Sequence, residues 1–247
     1  MKEKTMARIL LLGVDHADSL GASRLEAALR AEKPSGITLE TNEKYRRASE
    51  NGSIERLHRA RITFWRRHGL LPEIETMMLE DVHAYDFEIR GAFAYSKEKG
   101  IPVYCIEDNT AYDKLIKELQ KYPQDSQDIR KRVSERNQYD RSRNQMRAET
   151  FYDDAQRFFS NADAKSRDDE HHVADIMCGN SAINIPRRDR VMAPGLLRIA
   201  ERHPDAEIVH IGGLAHLLDD AKNRTLYSRI KNHASVRRAT IRDYETA

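Results

Sequence analysis

Three features of this 247-residue sequence predict an α/β fold with a mainly parallel sheet, flanked by helices and carrying helical insertions. Four short apolar runs lack the polar alternation of half-solvated strands, as expected of parallel strands buried on both faces. Segments with helical spacing lie between these runs, and strand–helix alternation implies parallel strands joined by right-handed crossovers. Two of the runs, near opposite ends of the chain, close with the same pattern, Gly-x-x-His: Gly13 to His16 and Gly213 to His216.

The first strand is read over Arg8–Leu12. Lysines precede it in MKEKTMARILLLGV, but the apolar patch runs straight into Asp15 and His16 with no small-residue cleavage site, so a buried strand is expected rather than a secretory signal. Ser23–Ala31 follows as a helix with Leu25, Ala28 and Leu29 on one face, and Gly36–Leu39 as the second strand. Tyr85–Lys99 carries Ile89, Ala92, Phe93 and Ser96 at helical spacing and stops at Gly100. Pro102–Ile106 is the third strand. Leu196–Arg202 is a helix leading through His203-Pro204-Asp205 into the fourth strand, Glu207–Ile211.

Two segments break this rhythm, at about 43–80 and 121–178. Glu43–His68 holds eight Lys or Arg against three Glu, and Phe64 and Trp65 stand at its end. Lys121–Asn161 is polar and helix-forming, with Tyr139, Phe151, Tyr152, Phe158 and Phe159 available for partial packing. Both read as helical insertions, the second outside the sheet core. No Gly/Ser- or Pro-rich linker divides the chain, so one domain over 1–247 is expected.

Composition narrows the function. With 42 Lys and Arg against 40 Asp and Glu, the charge balance favours neither a nucleic-acid binder nor an acidic tail. Two cysteines cannot build a disulfide framework, and no apolar run approaches the ~20 residues of a membrane span. A cytoplasmic protein with no membrane partner and a peptide or small-molecule substrate is expected, with self-association open. Gly-x-Gly-x-x-Gly, P-loop and Gly-x-Ser-x-Gly patterns do not occur, which disfavours nucleotide cofactors and serine hydrolysis.

Ligands of open α/β sheets bind beyond the carboxyl ends of the strands. There the first strand delivers Asp15 and His16, the second Glu40, the third Glu107 and Asp108, and the fourth His216. Two histidines and Glu40 would form a three-ligand site with an open position, suited to a divalent metal such as zinc, manganese or cobalt. Glycine would let the chain turn off each strand, through positive φ or close approach, and set the histidine in the first turn of the next helix.

These residues carry a resemblance. LLLGVDHADS, then EKPSGITLE, FEIRGAFAYSKEKGIPVYCIED and RRDRVMAPGLLRIAERHPDAEIVHIGGLAHLL resemble, in order, the pieces of the TraB/GumN/Tiki-like proteins. The wider group includes erythromycin-esterase-like and ChaN-like proteins. The resemblance covers most of the chain outside the insertions and implies an α/β fold with paired histidines at one edge. For Tiki-like members it implies a metal-dependent hydrolase, a peptidase in particular. It places His16, His216 and Glu40 at the metal, Glu40 and Arg188 in catalysis, and Gly13, Gly213, Glu88 and Asp108 around the ligand. Arg188 would stabilise an oxyanion or clamp an anionic group, and Glu40 would ligate or act as base. The sequence departs from the family at Asp15, where a small residue is commoner, and at Asp108-Asn109, where Asp-Arg is usual. A non-catalytic metal, haem or small-ligand binder, and a regulatory interaction protein, are the alternatives on the same fold.

Other signals are weighed as structural. Asp168-Asp169-Glu170-His171-His172 would put Asp168 and His172 on one helical face, but a polar helix needs no metal. His210 reads as a hydrogen-bonded core residue within the fourth strand. The basic run through Trp65 reads as an amphipathic helix with arginines outward.

Overall fold

The computed structural model describes residues 7–16, 18–81, 86–108, 113, 117, 126–138, 140–160, 163–180 and 184–245. Five strands form one all-parallel sheet: β1 (Arg8–Val14), β2 (Gly36–Leu39), β3 (Val103–Cys105), β4 (Glu207–Gly213) and β5 (Ser235–Thr240), in the spatial order β3-β2-β4-β1-β5. The first four lie on the expected apolar runs, with β1 and β4 paired in register, Leu10 against Val209 and Gly13 against Gly212. The fifth, SVRRAT, was not expected. It is an edge strand beside β1, exposed at alternate positions over its first half, so it lacks the two-faced apolar run of its neighbours.

Each face of the sheet is covered. On one, Leu10, Leu12, Ile37, Leu39, Val209 and Ile211 pack beneath α1 (Gly21–Glu32), which buries Leu25, Ala28 and Leu29 completely. Each such leucine contributes about 1.5–3 kcal/mol by leaving water. On the other, Ile9, Leu11 and Ile208 pack against Met192, Ala193 and Leu196 of a long helix ending at Arg202. Chain leaving β1 therefore covers one face while chain entering β4 covers the other. The carboxyl ends of these neighbouring strands border the crevice where α/β sheets hold ligands.

The first insertion forms α2 (Glu43–Glu50), α3 (Ser53–Arg66) and α4 (Pro72–Asp81), with Trp65 buried and the guanidinium groups of Arg61 and Arg136 over its ring. Next comes α5 (Phe87–Lys99), which ends where Gly100 takes φ 67° and returns its N–H to Ser96 O at 2.8 Å. Positive φ at this capping position is where glycine outperforms any L side chain. Residue 85, the expected start of this helix, lies outside the described residues, as do Tyr139 and other parts of the second insertion.

Most of that insertion's described residues are helical: α6 (Ser126–Arg136), α7 (Arg141–Phe159) and α8 (Ala164–Gly179). It does not stay outside the core. Ala148 and Tyr152 of α7 are fully buried in the same cluster as β1 and α1. Last of the long helices, α9 spans Ile185–Arg202 and starts well before Leu196, running through Pro194. After β4 come a short 3-10 turn, Leu214–Leu217, and α10 (Leu226–Ile230); a second 3-10 turn, Ile241–Tyr244, follows β5.

Candidate functional site

Two histidines from opposite ends of the chain meet beside one glycine. A Cβ built on Gly213 would lie 3.2 Å from His16 Nε2, 3.5 Å from Glu40 Oε2 and 3.7 Å from His216 Cδ2. Parallel pairing of β1 with β4, and of β4 with β2, delivers all three residues to this point. Neither Gly13, Gly212 nor Gly213 adopts positive φ, so the expected left-handed turn off the strand is absent. Their role is clearance. A Cβ on Gly13 would meet Leu214 Cδ2 at 2.4 Å, and one on Gly212 would meet Glu40 Oε2 at 2.9 Å. At Gly13 the lack of a side chain makes room for Leu214 and Leu217.

The histidines also differ from expectation in local setting. His16 stands in a turn several residues before α1, and His216 stands in a 3-10 turn. Each ring is nevertheless held in the same way, with Nδ1 on a carboxylate: His16 on Glu88 Oε1 at 2.6 Å, His216 on Asp189 Oδ1 at 2.5 Å. Nε2 of His216 contacts Glu40 Oε1 at 3.0 Å. Carboxylate at Nδ1 with Nε2 presented inward is the arrangement that orients histidine as a ligand or a base.

Glu40 is the hub. Its Oε1 pairs with Arg188 Nη2 at 2.6 Å as well as with His216, and its Oε2 accepts from the Gly213 N–H at 2.6 Å. Burial works against its charge, but His216 and Arg188 overcome it and hold the carboxyl well below the usual range. Arg188 also binds Glu107 through Nε. Burial raises Glu107, with Arg188 opposing, and burial also raises Asp189, with His216 opposing. For His216, burial disfavours the charge, yet Glu40 and Asp189 raise it to about 10. His16 is also raised: desolvation opposes, and Glu88 prevails. Its side chain is 60% exposed, so solvent screens that pairing.

Arg188 therefore has two carboxylates as partners, Glu40 and Glu107, and its side chain stays 25% exposed. Asp108 is described through its backbone carbonyl, which accepts from Asn42 Nδ2 at 3.0 Å, while its neighbour Glu107 reaches the cluster. Asp189 was not singled out in the sequence, although it follows Arg188 directly. His210, within β4, is fully buried with Nδ1 on Thr38 Oγ1 at 3.0 Å, as expected of a core residue; its Nε2 has no hydrogen-bond partner and approaches the same Gly212 Cβ position as Glu40. Burial lowers its pKa to about 4. In the acidic run of α8, Glu170 is buried against Arg238 while Asp168 and His172 are exposed.

Among the described residues, no three His, Cys, Asp or Glu side chains stand ready to hold a metal ion. Both oxygens of Glu40 are engaged by protein partners. The donor chemistry still suits a divalent cation: two imidazoles each with a carboxylate at Nδ1, and a further carboxylate, Glu40, beside them. Ligands ~2.0–2.2 Å from one ion stand roughly 3 Å apart, which is the Glu40–His216 separation. Among the described residues, no helix is long and apolar enough to cross a membrane. Compared with family models, curated proteins and solved structures, the chain matches none of them.

Proposed function

We propose that this protein is a metal-dependent hydrolase of the TraB/Tiki-like kind, acting on a peptide or other small substrate in the cytoplasm. The observation that carries the reading is the convergence of His16, Glu40 and His216 around Gly213, with Glu88 and Asp189 holding the outer nitrogens of the two imidazoles. His16, His216 and Glu40 would hold the divalent cation, which would supply Lewis acidity toward water or a substrate carbonyl. Glu40 ligates the cation or activates its water. Glu88 and Asp189 fix ring orientation and tautomer. Arg188 bridges Glu40 and Glu107, keeping two carboxylates together at the mouth of β2 and β3. His16, open to solvent, is the group within reach of an incoming substrate.

A second reading rests on the direct His216–Glu40 and Arg188–Glu40 contacts, which complete the cluster without a cation. In that case the His16–Glu88 pair is a general base on metal-free chemistry. Metal analysis of the purified protein, with zinc, manganese and cobalt titrations of wild type and Glu40→Gln, separates the two. Stoichiometric binding abolished by Glu40→Gln, with hydrolysis of a peptide and ester panel that follows metal loading, is expected. Hydrolysis indifferent to chelators selects the metal-free base. Binding with no hydrolysis leaves a binding protein.

A further inference from the structure

We infer that the second helical insertion builds the site, and that Tyr152 on α7 is the positioning residue that fixes the His16 loop. This deepens the hydrolase reading, on which the importance of His16 rests. Between β1 and α1, which begins at Gly21, the described residues have no regular structure. Within that loop the Asp18 N–H closes a turn on Asp15 O at 3.0 Å, and His16 rides on this turn. One hydroxyl holds both its ends. Tyr152 Oη accepts from the Asp15 N–H at 3.0 Å and donates to Asp18 Oδ2 at 3.0 Å. Tyr152 is fully buried, and burial keeps its hydroxyl protonated far above the ordinary range, so it remains a donor to the carboxylate.

The same helix holds the loop at two further points. Gln145 Oε1 accepts from Ser19 N at 3.0 Å and Ser19 Oγ at 2.7 Å. Arg24, buried in α1, joins Asp18 at 3.0 Å to Glu149 at 2.8 Å and Glu245 at 2.9 Å. Gln145, Glu149 and Tyr152 fall at i, i+4 and i+7, one face of α7, and that face is turned to the loop. Met146, on another side, is 69% exposed. The loop's own bonds, Asp18 N–H on Asp15 O, Gly21 N–H on Asp18 O and Leu20 N–H on Asp18 Oδ1, all pass through Asp15 or Asp18, the two residues that Tyr152 holds. Strapped in this way, His16 keeps its Nδ1 on Glu88 and its Nε2 toward Gly213.

The test uses the full-length protein carrying Tyr152→Phe, which keeps the buried ring and removes only the hydroxyl. Histidine-labelled protein is observed by ring nitrogen NMR, alongside amide exchange at Asp15. Exchange at Asp15 should quicken by about tenfold, the loss expected for one hydrogen bond. The His16 ring signals should shift and broaden while those of His216 stay in place. General destabilisation would disturb both rings, so movement of His16 alone marks positioning. Met146→Ala should move neither. Should Tyr152→Phe fail to fold, Gln145→Ala, which cuts the tie at Ser19, should quicken exchange at Ser19 and shift the His16 ring. Unchanged His16 signals and unchanged exchange in the folded variant would overturn the inference. Absence of zinc binding and hydrolysis in wild type would instead defeat the hydrolase reading, and the ring signals would still decide whether α7 holds the loop.

Discussion

The two Gly-x-x-His segments share a spacing and a partner type, yet the fold treats them oppositely. His216 has a side chain 3% exposed, whereas that of His16 is 60% exposed. The segment around His216 is apolar, and Leu217 is buried completely as the chain turns under α9. Asp189 holds the ring from below and also accepts the Leu226 N–H at 2.7 Å, which ties it to α10. The segment around His16 is a polar loop held by a helix that enters much later in the chain. One motif thus gives a fixed, buried imidazole and a reachable one, and the flanking residues decide which is which.

The sharpest way to break that comparison is to remove each ring. His216→Ala leaves Glu40 and Asp189 as buried carboxylates short of a partner, so a loss of about 3–5 kcal/mol in urea unfolding is expected. His16→Ala, at an exposed site, should cost within about 0.5 kcal/mol while abolishing metal binding and hydrolysis. Equal costs would show that the two segments are not distinct. The same pair reads out in pH. His216 is raised in the folded state from 6.5 to about 10, so its contribution is complete below pH 6.5 and is lost as pH climbs toward 10. The thermal midpoint of metal-free protein should fall over that window, and His216→Asn should flatten the fall.

The glycines sharpen the contrast at intermediate scale. Gly13→Ala pushes a methyl into Leu214 and should cost about 1–3 kcal/mol by overpacking. Gly213→Ala meets His16 Nε2 at the looser distance of 3.2 Å; it should lose less stability than Gly13→Ala and more metal affinity, as measured by titration beside urea unfolding. Smallest of all are Asp168→Ala and His172→Ala in the acidic run of α8. Both residues are exposed, so stability and metal content should stay within about 0.5 kcal/mol and unchanged stoichiometry.

Apolar runs without alternation gave four of the five strands, because a strand buried on both faces must be apolar at every position. Two consecutive arginines hid β5: Arg237 lies exposed against Glu32, while Arg238 is buried against Glu170, a pairing its charge did not announce. The strand-end rule brought His16, Glu40 and His216 to one place on paper, and parallel pairing does so in space. What the residues around them do was decided only by tertiary structure. Arg188 reads as a free catalytic cation until Glu40 and Glu107 arrive from β2 and β3. Asp189 carries no signal of its own until His216 folds onto it. Tyr152 lies in a helix so polar that it reads as outlying, yet it is buried against β1 because one hydroxyl finds two partners there. Apolar periodicity is written locally, since each residue loses water for itself. A buried polar pair is written in two distant segments, and neither half is stable inside until the other is present.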